Sequence, residues 1–133
     1  MKKYLLDTHT LIWAIADDDK LAKPVLSLLQ DNGCTVFVSV ISLWEITLKQ
    51  SVGKLGLSFA LRDIPRYCQE MGFSLISLKP LEVLDFEKLP PKKHHKDPFD
   101  RMLVCQCIAN GYVLVSKDAR MSEYKANGLE CVW

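Results

Sequence analysis

The chain has 133 residues, 49% of them apolar and 25% charged, with a formal net charge of +1. A chain of this size removes about two-thirds of its unfolded surface from water, so it can build one domain with a real core. The composition excludes a disordered or low-complexity chain, and the near-zero charge means that a nucleic-acid partner would need a local basic patch.

Tyr4-Leu5-Leu6 predicts a short buried strand ending at Asp7. From Thr8 to Ala16, apolar residues at Leu11, Ile12, Ala14 and Ile15 predict a short helix, broken by Asp17-Asp18-Asp19. Leu21 to Leu29 repeats apolar residues at helical spacing until Asp31-Asn32-Gly33 stops it. Thr35 to Val38 is β-branched and aromatic, a second strand. Ser42-Leu43-Trp44-Glu45 matches the Ser-x-x-Glu capping box, which predicts a helix opening there and running to about Gln50. Gly53 and Gly56 mark a turn. Phe59 to Met71 predicts an amphipathic helix in which Pro65 is either a kink or the seam between two pieces.

Phe73 to Leu78 is strand-like, Pro80 to Leu89 a short helix, and Pro90-Pro91 ends it. Lys92 to Lys96 is a polar connection. Asp97 is the natural N-cap of the next helix and Pro98 its first residue; from Phe99 to Ala109 the residues are apolar on nearly every face, which predicts a helix buried between layers. Gly111 ends it. Tyr112 to Val115 is the clearest strand, Met121 to Lys125 a short helix, and Leu129 to Trp133 a last strand after Asn127-Gly128. Strands alternating with helices specify an α/β protein: one domain, with a central parallel sheet covered on both faces in three α/β/α layers.

The five cysteines (Cys34, Cys68, Cys105, Cys107, Cys131) are odd in number, and none stands in a C-x-x-C. They read as reduced, buried thiols of a cytoplasmic protein. Cys105 and Cys107, two apart on a helix, point to different sides, which argues against a shared zinc site. The apolar run after Met1-Lys2-Lys3 stops at Asp7, far too short for a signal peptide or a membrane span.

In such a fold the C-terminal ends of strands and the N-terminal ends of helices share one edge of the sheet. Asp7 ends the first strand, Glu45 falls in the first turn of the helix after the second, Asp100 opens the central helix, Asp118 follows the fourth strand, and Asp97 is a fifth candidate. Each has an ordinary reading as a helix cap. Gathered in one crevice, however, unneutralised carboxylates raise one another's pKa, a penalty that a divalent cation removes. Oxygen-only ligands suit Mg²⁺ or Mn²⁺, which activate water and offset charge building on a phosphodiester oxygen.

Four blocks carry a family resemblance: Leu5-Leu6-Asp7-Thr8-His9, Ser39 to Ile46, His95-Lys96-Asp97-Pro98-Phe99-Asp100-Arg101-Met102-Leu103, and Leu114-Val115-Ser116-Lys117-Asp118. In order and spacing they resemble the signature blocks of PIN-domain ribonucleases, and within that family the VapC toxins of bacterial toxin–antitoxin pairs. The resemblance implies a Mg²⁺- or Mn²⁺-dependent endoribonuclease with Asp7, Glu45, Asp100 and Asp118 as its acidic quartet. Asp97 matches the accessory acid or helix cap of the Asp-Pro-Phe-Asp-Arg subgroup, and Thr8 and Ser116 match hydroxyls that hold the carboxylates or a metal-bound water. Ser116 stands where many relatives have threonine and keeps the hydroxyl. The family further implies a homodimer and, for toxins, inhibition by a small antitoxin whose tail occupies the active-site groove.

Lys92, Lys93, His94, His95, Lys96 and Arg101 put positive charge beside the expected site, either as a solvated loop or as a grip on the RNA backbone that reads no bases. Arg101 alternatively pairs with a catalytic carboxylate, and His95 alternatively ligates metal. Trp13, Trp44 and Trp133 lie in apolar runs and are expected in the core or a dimer interface rather than as base-stacking platforms. A haloacid-dehalogenase-type phosphatase would need an acid where His9 stands, and a receiver domain an Asp closing Phe73 to Leu78. The remaining alternative is a catalytically inactive PIN-like RNA-binding or regulatory module.

Overall fold

A computed structural model describes residues 1–133. Strands β1 (Lys3–Leu6), β2 (Thr35–Ser39) and β4 (Val113–Val115) carry apolar residues at consecutive positions, so both of their faces must be covered, and they take the middle of the sheet. The less buried β3 (Ser74–Ile76) and β5 (Glu130–Val132) take the edges. All neighbours are parallel, in the order β3-β2-β1-β4-β5.

Side-chain alternation along the strands divides the core into two. Tyr4, Leu6, Val36, Val38, Val113 and Val115 meet α1 (Thr8–Ala16), α2 (Lys23–Leu29), α3 (Val40–Ser51) and α4 (Ile64–Glu70) through residues such as Leu11, Val25, Ile46 and Ile64. Leu5 and Leu114 point the other way, onto Leu103, Val104 and Cys107 of α6 (Pro98–Asn110) and onto Met121 and Tyr124 of a 3₁₀ segment, Ala119–Asn127. The short α5 (Pro80–Leu84) packs on α6. This is the predicted three-layer arrangement. No helix is long and apolar enough to cross a membrane.

One local expectation is corrected and others are sharpened. The helix after β2 opens at Val40: Ser39 Oγ accepts from the Ile41 amide at 3.1 Å, so Ser39 is the cap, Ser42 is an interior residue, and Glu45 lies in the second turn. The Ser-x-x-Glu pattern is present but is used for side-chain contacts. The stretch 59–71 is two pieces, a 3₁₀ turn at Leu61–Asp63 followed by α4, with Pro65 in the first turn of α4, where its missing N–H costs nothing. The short helix expected near Met121 to Lys125 is a 3₁₀ helix over Ala119–Asn127. Asp17 ends α1 in the left-handed conformation, at φ 53°, a geometry that Asp and Asn, with their short polar side chains, tolerate better than most.

The chain builds β1 to β3 outward on one side, then returns to place β4 and β5 on the other. The crevice between the C-terminal ends of β1 and β4 is therefore the switch point where open α/β sheets place ligands. A bond from the Asp7 amide to the Val115 carbonyl, 3.1 Å, ties the two strand ends together there.

Candidate active site

Asp7, Glu45, Asp97, Asp100 and Asp118 line one open cleft of about 480 Å³ at this switch point, together with His9, Trp13, Lys49, Lys117 and Arg120. Asp7 leaves β1 and caps α1. Its Oδ1 accepts from the Thr10 amide at 2.9 Å and the Thr10 hydroxyl at 2.6 Å, while Oδ2 takes no hydrogen bond from the chain. Asp97 caps α6 in the same way, with Oδ1 accepting from the amides of Phe99 (2.8 Å) and Asp100 (3.2 Å) and Oδ2 left free. Asp100 follows in the first turn of α6; its Oδ2 lies 3.4 Å from His95 Nε2 and its Oδ1 has no partner.

The other two acids are held differently. Glu45, buried, accepts from the Thr8 hydroxyl at 2.6 Å through Oε1 and from Lys49, one helical turn on, through Oε2. Thr8 Oγ1 also lies 3.1 Å from the buried Ser42 Oγ. Asp118 is wrapped by Arg120, whose Nε and Nη2 reach Oδ1 at 3.0 Å and Oδ2 at 2.8 Å. Ser116 Oγ accepts from the Asp118 amide at 3.1 Å and so fixes the loop that presents the acid.

The charges follow this division. Burial, reinforced by Asp97, Glu45, Asp7 and Asp118, pushes the Asp100 carboxyl up to about 7. The Arg120 hydrogen bonds hold Asp118 below the usual carboxylate range against its partial burial. Burial alone would lower the Lys49 ammonium, but the Glu45 hydrogen bond and charge reverse this, and its net shift is upward.

Two residues expected to face RNA do not. His95 is completely buried, with Nδ1 2.7 Å from Tyr124 OH and Nε2 under Asp100 and Asp118, and burial lowers its pKa. Arg101 follows Asp100 on α6 and so points away from the cleft; it donates to the carbonyls of Leu89 and Pro90 and to Tyr124 OH, all at 3.1 Å. It neither pairs with a cleft acid nor meets solvent freely. Lys92 lies over the Tyr124 ring, while Lys93, His94 and Lys96 are exposed. Trp44 is 60% exposed, edge-on to Phe99, and not in the core. Trp13 forms part of the cleft wall, with Trp133 edge-on behind it and the Lys20 and Lys117 ammonium groups over its ring.

Sequence reasoning missed Lys49, Lys117, Arg120 and Tyr124. The Glu45–Lys49 spacing of four on a helix was a usable signal, and Lys117 and Arg120 flank Asp118 in the sequence; only Tyr124 is brought to the site by tertiary packing.

The family model described as the PIN domain matches residues 4–127. The chain belongs to the PIN domain family. No curated protein matches it by sequence. Among solved structures it is similar to VapBC2 from Rickettsia felis bound to a promoter DNA fragment (20% identity, 98% of this chain and 97% of that chain, TM-score 0.67). DNA-bound VapBC from Salmonella typhimurium is also similar (20%, 99% and 98%, TM-score 0.65), as is VapBC-1 from nontypeable Haemophilus influenzae (18%, 98% and 96%, TM-score 0.69). At these identities the likeness shows the fold.

PIN domains are generally metal-dependent nucleases, and the residues of this one fit a divalent cation. Asp7 Oδ2, Asp97 Oδ2 and Asp100 Oδ1 are hard oxygen donors without partners of their own, in a cleft where burial and the neighbouring acids together lift Asp100 far above a normal carboxyl.

Proposed function

We propose that this PIN domain is a metal-dependent endoribonuclease, the toxin component of a toxin–antitoxin pair, which hydrolyses RNA phosphodiester bonds with Mg²⁺ or Mn²⁺ held by the acidic cluster. The observation that carries this reading is the uncompensated carboxylate group itself: burial, reinforced by four other acids, lifts Asp100 to about 7, and no Lys or Arg of the chain lies within ion-pair distance of it. Asp7 and Asp100 offer free oxygens to the ion, with Asp97 beside them. Glu45 and Asp118 complete the negative wall, oriented by the Thr8 hydroxyl and the Ser116 loop. A bound ion would activate water and offset charge on the scissile phosphate. Lys117, exposed, lines the cleft, and the exposed Lys93 and Lys96 precede Asp97 in the chain; these lysines are suited to hold phosphates on either side of the cut.

The similarity to VapBC complexes supports an antitoxin partner, and a homodimer is proposed beside it. The exposed apolar residues Trp44, Leu48, Leu81 and Leu84 suit the second copy. The free cysteines suit a cytoplasmic location. The test is cleavage of a structured RNA by purified protein with Mg²⁺ or Mn²⁺, with EDTA and Asp7→Asn as controls. Cutting lost in both controls is expected. No cutting by folded protein free of antitoxin would instead favour a binding module.

A further inference from the structure

His95 is the one residue of the 92–96 connection that lies wholly inside the protein, directly beneath two cleft acids. Its Nε2 is 3.4 Å from Asp100 Oδ2 and 4.0 Å from Asp118 Oδ2, and one ligand atom from each of the three residues lies within 4.8 Å of the others. A ring in this place can act in two opposite ways. With its proton on Nδ1, the Nε2 lone pair faces the acids and can take a metal ion. With the proton on Nε2, it donates to the Asp100 carboxylate and ligates nothing.

The far side of the ring decides between them. Tyr124 is fully buried, and its hydroxyl has two partners, His95 Nδ1 at 2.7 Å and Arg101 Nη1 at 3.1 Å. A guanidinium only donates, so the hydroxyl accepts from Arg101. The single acceptor then left for the hydroxyl's own proton is His95 Nδ1, which must therefore carry a lone pair. A proton on Nδ1 would leave the Tyr124 O–H buried with no acceptor. Arg101 is itself anchored by the carbonyls of Leu89 and Pro90, so the line of donors has a fixed origin and one direction.

We propose that His95 is a positioning residue: an Nε2–H donor, set by Arg101 through Tyr124, that holds the Asp100 carboxylate in place for a divalent cation without ligating it. The positioning role rests on the metal site proposed above, whereas the ring's proton placement does not.

The proton placement is read from multiple-bond ¹H–¹⁵N correlations of the imidazole in ¹⁵N-histidine-labelled protein. A proton on Nε2 is expected both without metal and at Mg²⁺ saturation. A proton on Nδ1, or a switch to it when Mg²⁺ is added, overturns the proposal. In Tyr124→Phe the preference is expected to disappear. Two substitutions read the positioning role, because a glutamine amide reaches about as far as Nε2 and an asparagine amide only about as far as Nδ1. By calorimetry, His95→Gln should keep Mg²⁺ affinity within about threefold, while His95→Asn should lose roughly tenfold or more. Equal losses in the two variants overturn the positioning role. If either variant fails to fold, the spectrum of the unsubstituted protein still decides proton placement. That spectrum requires no RNA, so a donor found on Nε2 in a protein that cuts nothing would defeat the nuclease reading and leave the proton placement standing.

Discussion

The two sides of the acidic cleft are built on different terms. Glu45 and Asp118 each have a cation of their own, Lys49 and Arg120, and both oxygens of each acid are occupied. Asp7, Asp97 and Asp100 have no Lys or Arg within ion-pair distance; Asp7 and Asp97 cap helices through one oxygen, Asp100 faces His95 through one, and each keeps the other free. Arg120 accordingly holds Asp118 below the usual carboxylate range, while burial and like charge carry Asp100 to about 7. Proximity of acids therefore does not locate a cation seat by itself. Unused oxygens and uncompensated charge do, and both lie on the Asp7–Asp100 side.

The largest effect should come from removing charge on the uncompensated side. Asp7→Asn or Asp100→Asn should reduce RNA cleavage on the order of 10²–10³-fold or more, with circular dichroism unchanged. Retained activity in either variant would remove that residue from the catalytic set. The same side sets the pH dependence of stability. Asp100 takes up a proton more readily folded than unfolded, so its contribution is fully present below its unfolded value of about 4 and is lost as pH rises through about 7. Asp100→Asn should then stabilise the metal-free protein above pH 7, by at most about 4 kcal/mol, and hardly at all near pH 4, as read by denaturant titration at the two pH values.

Mg²⁺ should act where that penalty exists. At a concentration about 100 times its Kd it should add about 2.7 kcal/mol at pH 8, and much less at pH 5, where Asp100 is protonated. A smaller effect is expected on the compensated side. Lys49→Ala strands the buried Glu45 charge and should cost about 1 kcal/mol after screening of the partly exposed ammonium. Arg120→Ala should be the mildest change: it frees a rim carboxylate and tightens Mg²⁺ by a few-fold, an increase that shrinks at high salt. A loss of Mg²⁺ affinity in that variant would contradict the division of the cleft.

Periodicity, capping chemistry and turn residues are local, so the sequence by itself determined the alternation of strands and helices, the parallel three-layer fold and the meeting of acids at one sheet edge. Asp97-Pro98 as the start of the central helix is as clear in the chain as in the structure. The capping box at Ser42 misled because two serines three apart compete for one helix start, and the end of β2 decides for Ser39. What only the tertiary structure decided is which polar groups lose their water. His95 lies in a lysine-rich run that reads as solvated, yet Tyr124, 29 residues on, folds over it. Arg101 looked like a surface cation beside an acid, yet the helical turn aims it at the carbonyls of the 89–90 turn. The cations of Glu45 and Asp118 are local, four and two residues away, but the burial and like charge that single out Asp100 arise only when α3, α6 and the ends of β1 and β4 pack together, because both depend on distance in space.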